Sequence, residues 1–414
     1  MQAPPEPGVR RCRGCAAAAL RVVVDFGLTP LANAYRTADD LGRMEPFYPL
    51  RLLLCEACTL VQLEPVESPE HIFGDYAYFS SYSTTWLDHA RRYADAMVAA
   101  LGLDRHRQVV EVASNDGYLL QYFAARGVPV LGVEPAANVA AAARARGIPT
   151  VERFFGRKVA EELAGGVRAD LLVANNVLAH VPDLDDFVGG LARLLAPSGL
   201  LTLEFPHLAR LLAENQFDTI YHEHGSYFSL AVAERLLAAH DLVVVDVEEL
   251  PTHGGSLRVH ARHAAAGAPA TPRVAALRAR EADAGLERVE TYLAFGERVR
   301  ETKRALLELL ITLKRDGRRI VGYGAAAKAT TLLNYCGIRT DFLDFVADKS
   351  PHKQGRFVPG THLPIVAPGR IAETRPDCVL LLSWNLAAEI MRELAGVREW
   401  GGQFLIPIPE AKLT

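Results

Sequence analysis

Two closely spaced pairs of cysteines near the start of the chain restrict how its first domain can fold. Of the six cysteines, four form the motifs Cys12-Arg-Gly-Cys15 and Cys55-Glu-Ala-Cys58. Each short turn aims two thiolates at one point, and four thiolates are a common ligand set for tetrahedral zinc. A redox motif would need a single pair, so we expect a structural Zn2+ held by all four cysteines. Because no coordination position is left for a substrate, this metal would stabilise the fold without entering the chemistry.

Length and composition limit the classes of protein to which the chain can belong. A chain of 414 residues, 50% hydrophobic and 23% charged, can bury two or three cores. A net charge of −4 excludes a nucleic-acid binder that depends on a broad basic surface. No apolar run approaches the roughly 20 residues of a membrane span, and Met1–Arg13 lacks a signal-peptide stretch. We therefore expect a cytoplasmic protein, monomeric, with neither nucleic acid nor membrane as a partner.

The pattern of elements divides the chain into three parts. Residues 1–80 hold the cysteine pairs and short extended runs, as in a small zinc-stapled β domain. Residues 81–265 alternate strands and helices, which predicts a doubly wound parallel sheet. After the linker Ala264–Pro272, a single long charged helix is expected over 281–315, leading into a second such unit in 266–414. The predicted class is α/β: a zinc-stapled β domain plus two doubly wound, Rossmann-like α/β units.

The middle unit carries the pattern of a cofactor site. Its first strand ends in Glu111-Val-Ala-Ser-Asn-Asp-Gly117, and Glu134 ends the second strand, where an acidic residue can hold both ribose hydroxyls of an adenosine. The loop is not a clean GxGxxG, so it favours S-adenosylmethionine, which has no phosphate, over NAD. The alternatives are an exposed strand-end carboxylate for Glu134 and helix capping for the two asparagines after the third strand. The candidate cofactor-binding residues are Glu111, Ala113, Ser114, Asn115, Asp116, Gly117, Glu134, Pro135, Asn175 and Asn176.

Several long motifs resemble those of one enzyme family. Besides the cysteine pairs, they are DYAYFSSYSTTW (75–86), EVASNDGYLL (111–120), QFDTIYHEHGSYFSL (216–230), HGGSLR (253–258) and GYGAAAKATTLLN (322–334). In this order they are similar to the sugar C-methyltransferases of antibiotic deoxysugar biosynthesis. The resemblance implies a zinc-binding domain, an S-adenosylmethionine-binding domain and a C-terminal domain that binds the nucleotide-sugar. It also implies methylation of a carbon next to the C-4 ketone of a dTDP-linked 4-keto-deoxysugar, mostly at C-3 and in some members at C-5.

The resemblance also implies roles for individual side chains. It favours His224 as the base that removes a proton from carbon, with Tyr221 and Glu223 beside the sugar and Tyr76 close to it. His180 is the rival base. If residues 221–224 are extended, Tyr221 and Glu223 share one face and the two histidines share the other. A metal held by the His-Glu-His run is a further alternative.

Polar residues at three successive strand ends of the last unit predict a ligand crevice there. The Gly322–Lys328 turn suits a diphosphate because glycines expose backbone amides and the lysine adds a charge. The candidate substrate-binding residues are Tyr78, His253, Arg258, Lys328, Asp348, Lys349, Lys353, Trp384 and Asn385. The alternatives are a domain that only braces its neighbour, or an NAD-dependent oxidoreductase that uses this turn as its dinucleotide loop. An O- or N-methyltransferase and a zinc-ribbon regulator are the remaining competing classes.

Overall fold

The computed structural model describes residues 11–68 and 79–414, apart from the side chain of His253. The strands are β1 (Leu20–Thr29), β2 (Tyr48–Cys55), β3 (Val61–Leu63), β4 (Val109–Val112), β5 (Val130–Val133), β6 (Thr150–Val151), β7 (Ala169–Asn175), β8 (Leu195–Pro206), β9 (Ser226–Tyr227), β10 (Leu242–Leu250), β11 (Ser256–His263), β12 (Ile320–Tyr323), β13 (Val346–Ala347), β14 (Ile365–Val366), β15 (Cys378–Leu381), β16 (Gln403–Ile406) and β17 (Lys412–Leu413). The α-helices are α1 (Thr84–Leu101), α2 (Leu120–Ala124), α3 (Ala137–Ala145), α4 (Arg157–Ala164), α5 (Leu184–Leu194), α6 (Leu208–Ala213), α7 (Leu230–Ala238), α8 (Pro272–Asp283), α9 (Val289–Arg315), α10 (Ala327–Cys336), α11 (Gly369–Thr374) and α12 (Ala387–Glu393).

The first sheet is antiparallel and has the order β1-β2-β3-β9. Its first three strands come from the cysteine-rich segment, while β9 comes from the middle of the chain. The sheet that carries the cysteines is therefore completed by a strand that lies far away in the sequence.

The second sheet has seven strands in the order β10-β11-β8-β7-β4-β5-β6. Strands β4 to β8 run parallel, and β11 adds to β8 in the antiparallel direction. Neighbouring residues of β4 point to opposite faces, so that Val109 and Val110 pack into two different apolar cores. Because helices cover both faces, the sheet is doubly wound as expected. The strand order reverses beside β4, and the crevice for a ligand is expected between the loops after β4 and β7.

The third sheet has the order β14-β13-β12-β15-β16-β17, parallel except for β17. Its order repeats that of the second sheet, with β12 in the place of β4 and β15 in the place of β7. The loops after β12 and β15 therefore meet at a second switch point. These three sheets confirm the α/β class predicted from the sequence.

One apolar core joins the first and third sheets. The ring of Phe26 on β1 lies 5.0 Å from that of Tyr335 on α10 and 6.3 Å from that of Phe217. Helix α9 approaches β1 so closely that a Cβ added to Gly296 would lie 2.4 Å from the Val23 carbonyl oxygen. This packing holds the segment around Phe217 between the first sheet and the C-terminal helices.

The predicted long charged helix over about 281–315 is present, but it begins at Val289 and not near Glu281. Helix α8 ends at Asp283 and α9 begins at Val289. Gly285, at φ +75, lies in the break between them and adopts a left-handed conformation that interrupts a helix. Glu281 therefore belongs to the helix before the break.

Within the described ranges, none of the helices is both long enough and apolar enough to cross a membrane.

Candidate active site

The four cysteines of the first domain come together as expected. Their sulfur atoms all lie within 4.8 Å of one another, with Cys12 and Cys58 at 3.5 Å and Cys15 and Cys55 at 3.6 Å. Zn–S bonds of about 2.3 Å at tetrahedral angles place neighbouring sulfurs about 3.8 Å apart, so the cluster fits Zn2+. It is the one group in the described ranges with at least three histidine, cysteine or carboxylate ligands in reach of one ion. A metal at the His-Glu-His run gains no support there, because His222 Nε2 donates to the Pro49 carbonyl at 3.2 Å.

The loop after β4 has the backbone shape of a cofactor loop. Ala113, Asn115 and Gly117 all adopt positive φ angles, at +57, +49 and +78. A Cβ on Gly117 would lie 2.9 Å from the Ile148 side chain, so glycine suits both the conformation and the space. Glu134 accepts hydrogen bonds from the backbone amides of Asn115 at 3.0 Å and Ala136 at 2.9 Å. The carboxylate at the end of β5 thus braces the loop, and burial raises its pKa although both amides oppose the shift.

The crevice fits S-adenosylmethionine by the chemistry of its side chains. Ser114 Oγ and Asn176 Oδ1 are buried, and neither has a hydrogen-bond partner among the described residues. Asn176 follows β7 at the switch point, where a polar ligand would satisfy its Oδ1, whereas Ser114 Oγ lies above Gly132 of β5. Pro135 is half-buried beside Glu134, and Asn175 ends β7. Glu111 lies within β4, where burial raises its pKa well above the usual range although the Tyr118 hydroxyl opposes this.

Asn115 and Asp116 contact a segment that covers the loop. Asn115 Oδ1 accepts a hydrogen bond of 2.8 Å from the Ser80 amide, and the Ser81 hydroxyl donates to Asp116. The next residue after Ser81 is the exposed Tyr82, whose ring stacks on His352 of the last unit with the two ring centroids 6.1 Å apart. Residues 80–82 therefore connect the crevice to the C-terminal sheet. Tyr76 and Tyr78 precede this segment and lie outside the described residues.

Residues 221–224 form a turn, so the alternation that an extended chain would give does not apply to them. The His224 amide donates to the Tyr221 carbonyl at 2.9 Å. The turn places the Tyr221 and His224 rings on the same side, with their centroids 4.1 Å apart. His224 Nδ1 lies 3.0 Å from the Thr219 carbonyl oxygen, and its Nε2 lies 3.0 Å from the Tyr221 hydroxyl.

His180 reaches the same place from the loop after β7. Its ring centroid is 5.0 Å from that of His224, and its Nδ1 donates to the Glu223 carbonyl at 2.6 Å. Burial lowers the pKa of His180 although the hydrogen bond to the Glu223 carbonyl opposes the shift, so the site favours the neutral imidazole. Both candidate bases therefore lie side by side, next to the loop that follows β7.

The Glu223 carboxylate is held by a residue that the sequence reasoning missed. Asn33, in the loop after β1, donates its Nδ2 to both carboxylate oxygens, at 2.8 and 2.9 Å. Burial raises the pKa of Glu223 to about 7, although the hydrogen bonds from Asn33 oppose the shift. No local pattern around Asn33 signals this contact, because its partner lies in a distant part of the chain.

Asp218 was also missed, although it belongs to one of the quoted motifs. Its buried carboxylate accepts a hydrogen bond of 2.7 Å from the indole N–H of Trp384. Burial raises the pKa of Asp218 to about 6, against the opposing effects of Lys328 and Trp384. Asp218 thereby links the segment before the turn at 221–224 to the C-terminal strand ends.

The predicted residues at the C-terminal strand ends form two groups, one around Lys328 and one around Ala325. Lys328 Nζ lies 5.0 Å above the Trp384 ring and donates to Asn385 Oδ1. Asp348 accepts a hydrogen bond of 2.8 Å from the Ala325 amide, and Lys353 donates to the Ala325 carbonyl at 2.9 Å. Lys349 instead pairs at the surface with Glu393 at 2.6 Å.

Arg258 is occupied by a buried carboxylate. Its guanidinium lies 2.7 Å from Glu204 and 4.5 Å from the centroid of the Tyr93 ring. Burial opposes ionisation of Glu204, but the hydrogen bond from His89 and the charge of Arg258 lower its pKa to about 2. A contact of Arg258 with the sugar stays a prediction, and the side chain of His253 is outside the described residues.

Three family models match successive parts of the chain. They describe a zinc binding domain over residues 12–73, a methyltransferase domain over 86–247 and a C-methyltransferase C-terminal domain over 251–409. The first contains the four cysteines, and the second contains the crevice beside β4.

Known proteins show the same likeness. The chain is 40% identical over 408 residues to the C-methyltransferase NovU of Streptomyces niveus, covering 98% of this chain and 97% of that protein. A ubiquinone biosynthesis O-methyltransferase of Rhodopseudomonas palustris is 27% identical over 97 residues, 23% of this chain and 38% of that one. Among solved structures, magnesium protoporphyrin IX methyltransferase from Synechocystis with bound SAM has 17% identity and a TM-score of 0.33. That match covers 46% of this chain and 88% of that one.

The full-length match and the three domain models confirm both cofactors predicted from the sequence, S-adenosylmethionine and zinc. The chain therefore belongs to the C-methyltransferase family that joins a zinc-binding, a methyltransferase and a C-terminal C-methyltransferase domain, and it is an S-adenosylmethionine-dependent C-methyltransferase.

Proposed function

We propose that this enzyme methylates C-3 of a dTDP-linked 4-keto-deoxysugar in antibiotic deoxysugar biosynthesis, with His224 as the base. The observation that carries the proposal is the hydrogen bonding of the His224 ring, which lies between the Thr219 carbonyl and the Tyr221 hydroxyl. A carbonyl oxygen can only accept, so Nδ1 must carry the proton. In the neutral imidazole, Nε2 is then the nitrogen with the lone pair, as a general base requires.

Methyl transfer to carbon needs a base because a C–H carbon is not a nucleophile. A ketone at C-4 acidifies the neighbouring C–H, and removal of that proton gives an enolate. S-adenosylmethionine, when bound, supplies an electrophilic methyl group. His224 Nε2 would take the proton from C-3, since a neutral histidine is well matched to proton transfer near pH 7.

Tyr221 fits the role of a donor to the enolate oxygen. Its hydroxyl donates to His224 Nε2 at 3.0 Å. For Nε2 to reach a substrate proton, that hydroxyl must turn away from the nitrogen. It is then available to stabilise the negative charge that develops on the C-4 oxygen.

Glu223 is suited to hold a hydroxyl or amino substituent of the sugar. Its carboxyl is buried, and its pKa of about 7 allows it to accept a hydrogen bond when ionised and to donate one when protonated. Asn33 fixes its orientation from the first sheet. We propose Tyr76 and Tyr78 as further contacts with the sugar, on the family resemblance alone.

The nucleotide would occupy the crevice of the third sheet. The turn after β12 brings Lys328 next to Trp384 and Asn385, a cation beside an aromatic ring and an amide. Lys353 and Asp348 flank the same turn at Ala325. This grouping suits a diphosphate bound by lysine charges and a pyrimidine bound by the ring and amide. We propose a monomer with domains 1–80, 81–265 and 266–414, with the substrate between the second and third.

The test is a panel of dTDP-4-keto-deoxysugars incubated with 13C-methyl-labelled S-adenosylmethionine, each paired with its 4-hydroxy counterpart. We expect a labelled methyl group bonded to C-3 of a keto sugar, located by carbon-coupled NMR. The 4-hydroxy counterpart should give no product, because its C-3 proton is not acidified. Label at C-5 would correct the position, and label on oxygen or nitrogen would contradict the proposal.

A further inference from the structure

Continuous backbone contacts lead from the zinc cluster to residues 221–224, the turn that holds the proposed base and is called the catalytic turn below. Strand β3 begins three residues after Cys58 and pairs with β9, so that Val61 lies opposite Tyr227. Strand β9 begins two residues after His224. At the end of β3, the Leu63 amide donates a hydrogen bond of 2.9 Å to the Gly225 carbonyl. The sheet that carries the metal ligands therefore holds the residues that directly follow the proposed base.

Arg13 makes a second connection between the same two places. It lies between Cys12 and Cys15, so that metal binding fixes the backbone from which its side chain extends. Its amide donates to Gln62 Oε1 at 3.1 Å, and its guanidinium donates to the Leu63 carbonyl at 2.8 Å. These contacts aim the guanidinium along β3 toward the catalytic turn.

The guanidinium ends against Gly225, where there is no room for a side chain. A Cβ on Gly225 would lie 2.2 Å from Arg13 Nη1 and 3.6 Å from the Ala179 carbonyl oxygen. Gly225 is thus enclosed between the zinc-bearing turn and the loop after β7. Gly225 directly follows His224, and Ala179 directly precedes His180, so this contact joins the backbone next to both histidines.

We propose that Arg13 is a positioning residue that sets the separation of His224 and His180 by packing against Gly225. The inference rests on the proposed role of His224 as the base. Because Arg13 is held at its backbone amide and at its guanidinium, its side chain is a rigid spacer between the zinc turn and the turn at 221–224. Removing it lets the Gly225 backbone shift, and an error of about 1 Å in the position of a catalytic group lowers rates by up to 100-fold.

The experiment compares Arg13→Met with the wild-type holoenzyme. Methionine keeps a flexible stem of similar reach but lacks the donors and the charge. We expect one zinc per chain by elemental analysis, with dTDP-4-keto-sugar KM and S-adenosylmethionine affinity within about twofold. The kcat for methylation should fall roughly 10- to 100-fold, with partial recovery in Arg13→Lys. The matched control is Arg21→Met, an arginine on β1 that pairs with Glu56 at the surface and should behave as wild type.

A second readout needs no substrate and separates this inference from the proposed function. In protein labelled with 15N-histidine, the ring signals of His224 and His180 should move in Arg13→Met and stay in place in Arg21→Met. Unchanged ring signals with wild-type kcat would overturn the positioning role. If the ring signals move in Arg13→Met but His224→Asn keeps full activity, His224 is not the base. The contact between Arg13 and Gly225 is then still supported.

Gly225→Ala covers the case in which Arg13→Met loses its metal. This variant leaves the zinc turn intact but brings a methyl group against the guanidinium from the other side. A lower kcat with full zinc content supports the positioning role. Wild-type kcat and unmoved histidine signals in Gly225→Ala would overturn it.

Discussion

The indole N–H of Trp384 donates a 2.7 Å hydrogen bond to the carboxylate of Asp218. This bond joins the strand ends of the C-terminal sheet to the segment that leads into the turn at 221–224, which holds the proposed base. A second bond, from the Thr331 hydroxyl to the Ile220 carbonyl at 2.9 Å, ties helix α10 to the same segment. The proposed nucleotide crevice and the proposed base are therefore parts of one rigid region.

Removing the Lys328 charge should weaken binding of the nucleotide-sugar. Lys328→Met deletes the cation beside Trp384, and a hydrogen bond to a charged group contributes about 1.5–3 kcal/mol. We expect the KM for the dTDP-sugar to rise roughly 10- to 100-fold while S-adenosylmethionine affinity is unchanged. The control is Lys412→Met, an exposed lysine of the same sheet. Steady-state kinetics with unchanged KM would remove Lys328 from the diphosphate site.

Removing one thiolate should release the metal. Cys55→Ser leaves three sulfur ligands, and a structural zinc site contributes on the order of 10–16 kcal/mol of apparent binding energy. Hydrogen exchange should then become faster in β2 and β3, and activity should fall because β9 loses its support. Cys336→Ser, a buried cysteine outside the cluster, should keep its zinc. Wild-type protein that contains no zinc by elemental analysis would contradict the first domain's assignment.

Loss of the Glu134 carboxylate should weaken donor binding. Glu134→Ala removes one or two charged hydrogen bonds to the ribose, each about 1.5–3 kcal/mol, and it also frees the Asn115 amide. Calorimetry should show at least a tenfold weaker affinity for S-adenosylmethionine. Glu161→Ala, at an exposed position of α4, serves as the control. Equal affinity in both variants would show that Glu134 does not hold the ribose.

Glu223 predicts a specific dependence of stability on pH. Burial raises its pKa from 4.5 to about 7, so the folded chain holds this proton more tightly than the unfolded chain. The resulting stabilisation is complete below about pH 4.5 and is lost as the pH rises through 7, a change on the order of 3 kcal/mol. Glu223→Gln removes this titration. The Tm difference, variant minus wild type, should therefore increase from pH 5 to pH 8.5.

The exposed Glu399→Gln is the control for this measurement. If the Glu223→Gln difference stays constant over the same range, the carboxyl is ionised throughout and the raised pKa is wrong.

Local patterns predicted those parts of the molecule in which the partners follow from spacing or topology. Two CxxC turns identify four zinc ligands, because each turn by itself aims two sulfurs. The strand–helix alternation placed Glu134 and Asn176 at one crevice, because parallel strands end at the same edge of a sheet. The same reasoning brought Lys328, Asp348 and Trp384 together.

The contacts between distant segments were not predictable in this way. Asn33 and Arg13 contact Glu223 and Gly225 from the first domain, and no sequence pattern around either residue indicates these contacts. The turn at 221–224 also escaped the alternation argument, which presupposes an extended chain. There the hydrogen bond from His224 to the Tyr221 carbonyl closes a turn instead.

Solvent exchange at C-3 tests the central claim, because proton removal precedes methyl transfer and can be followed without it. A C-3-deuterated dTDP-4-keto-sugar is incubated with the enzyme and S-adenosylhomocysteine, and loss of deuterium is measured by mass spectrometry. His180→Asn is the comparison, because His180 lies beside His224. This variant should retain part of the exchange. Asparagine at 224 cannot accept a proton at neutral pH. We predict that His224→Asn loses exchange by about 10²–10⁴-fold while it still binds donor and sugar. Exchange at the wild-type rate in His224→Asn, with loss of exchange in His180→Asn, would contradict the account and make His180 the base.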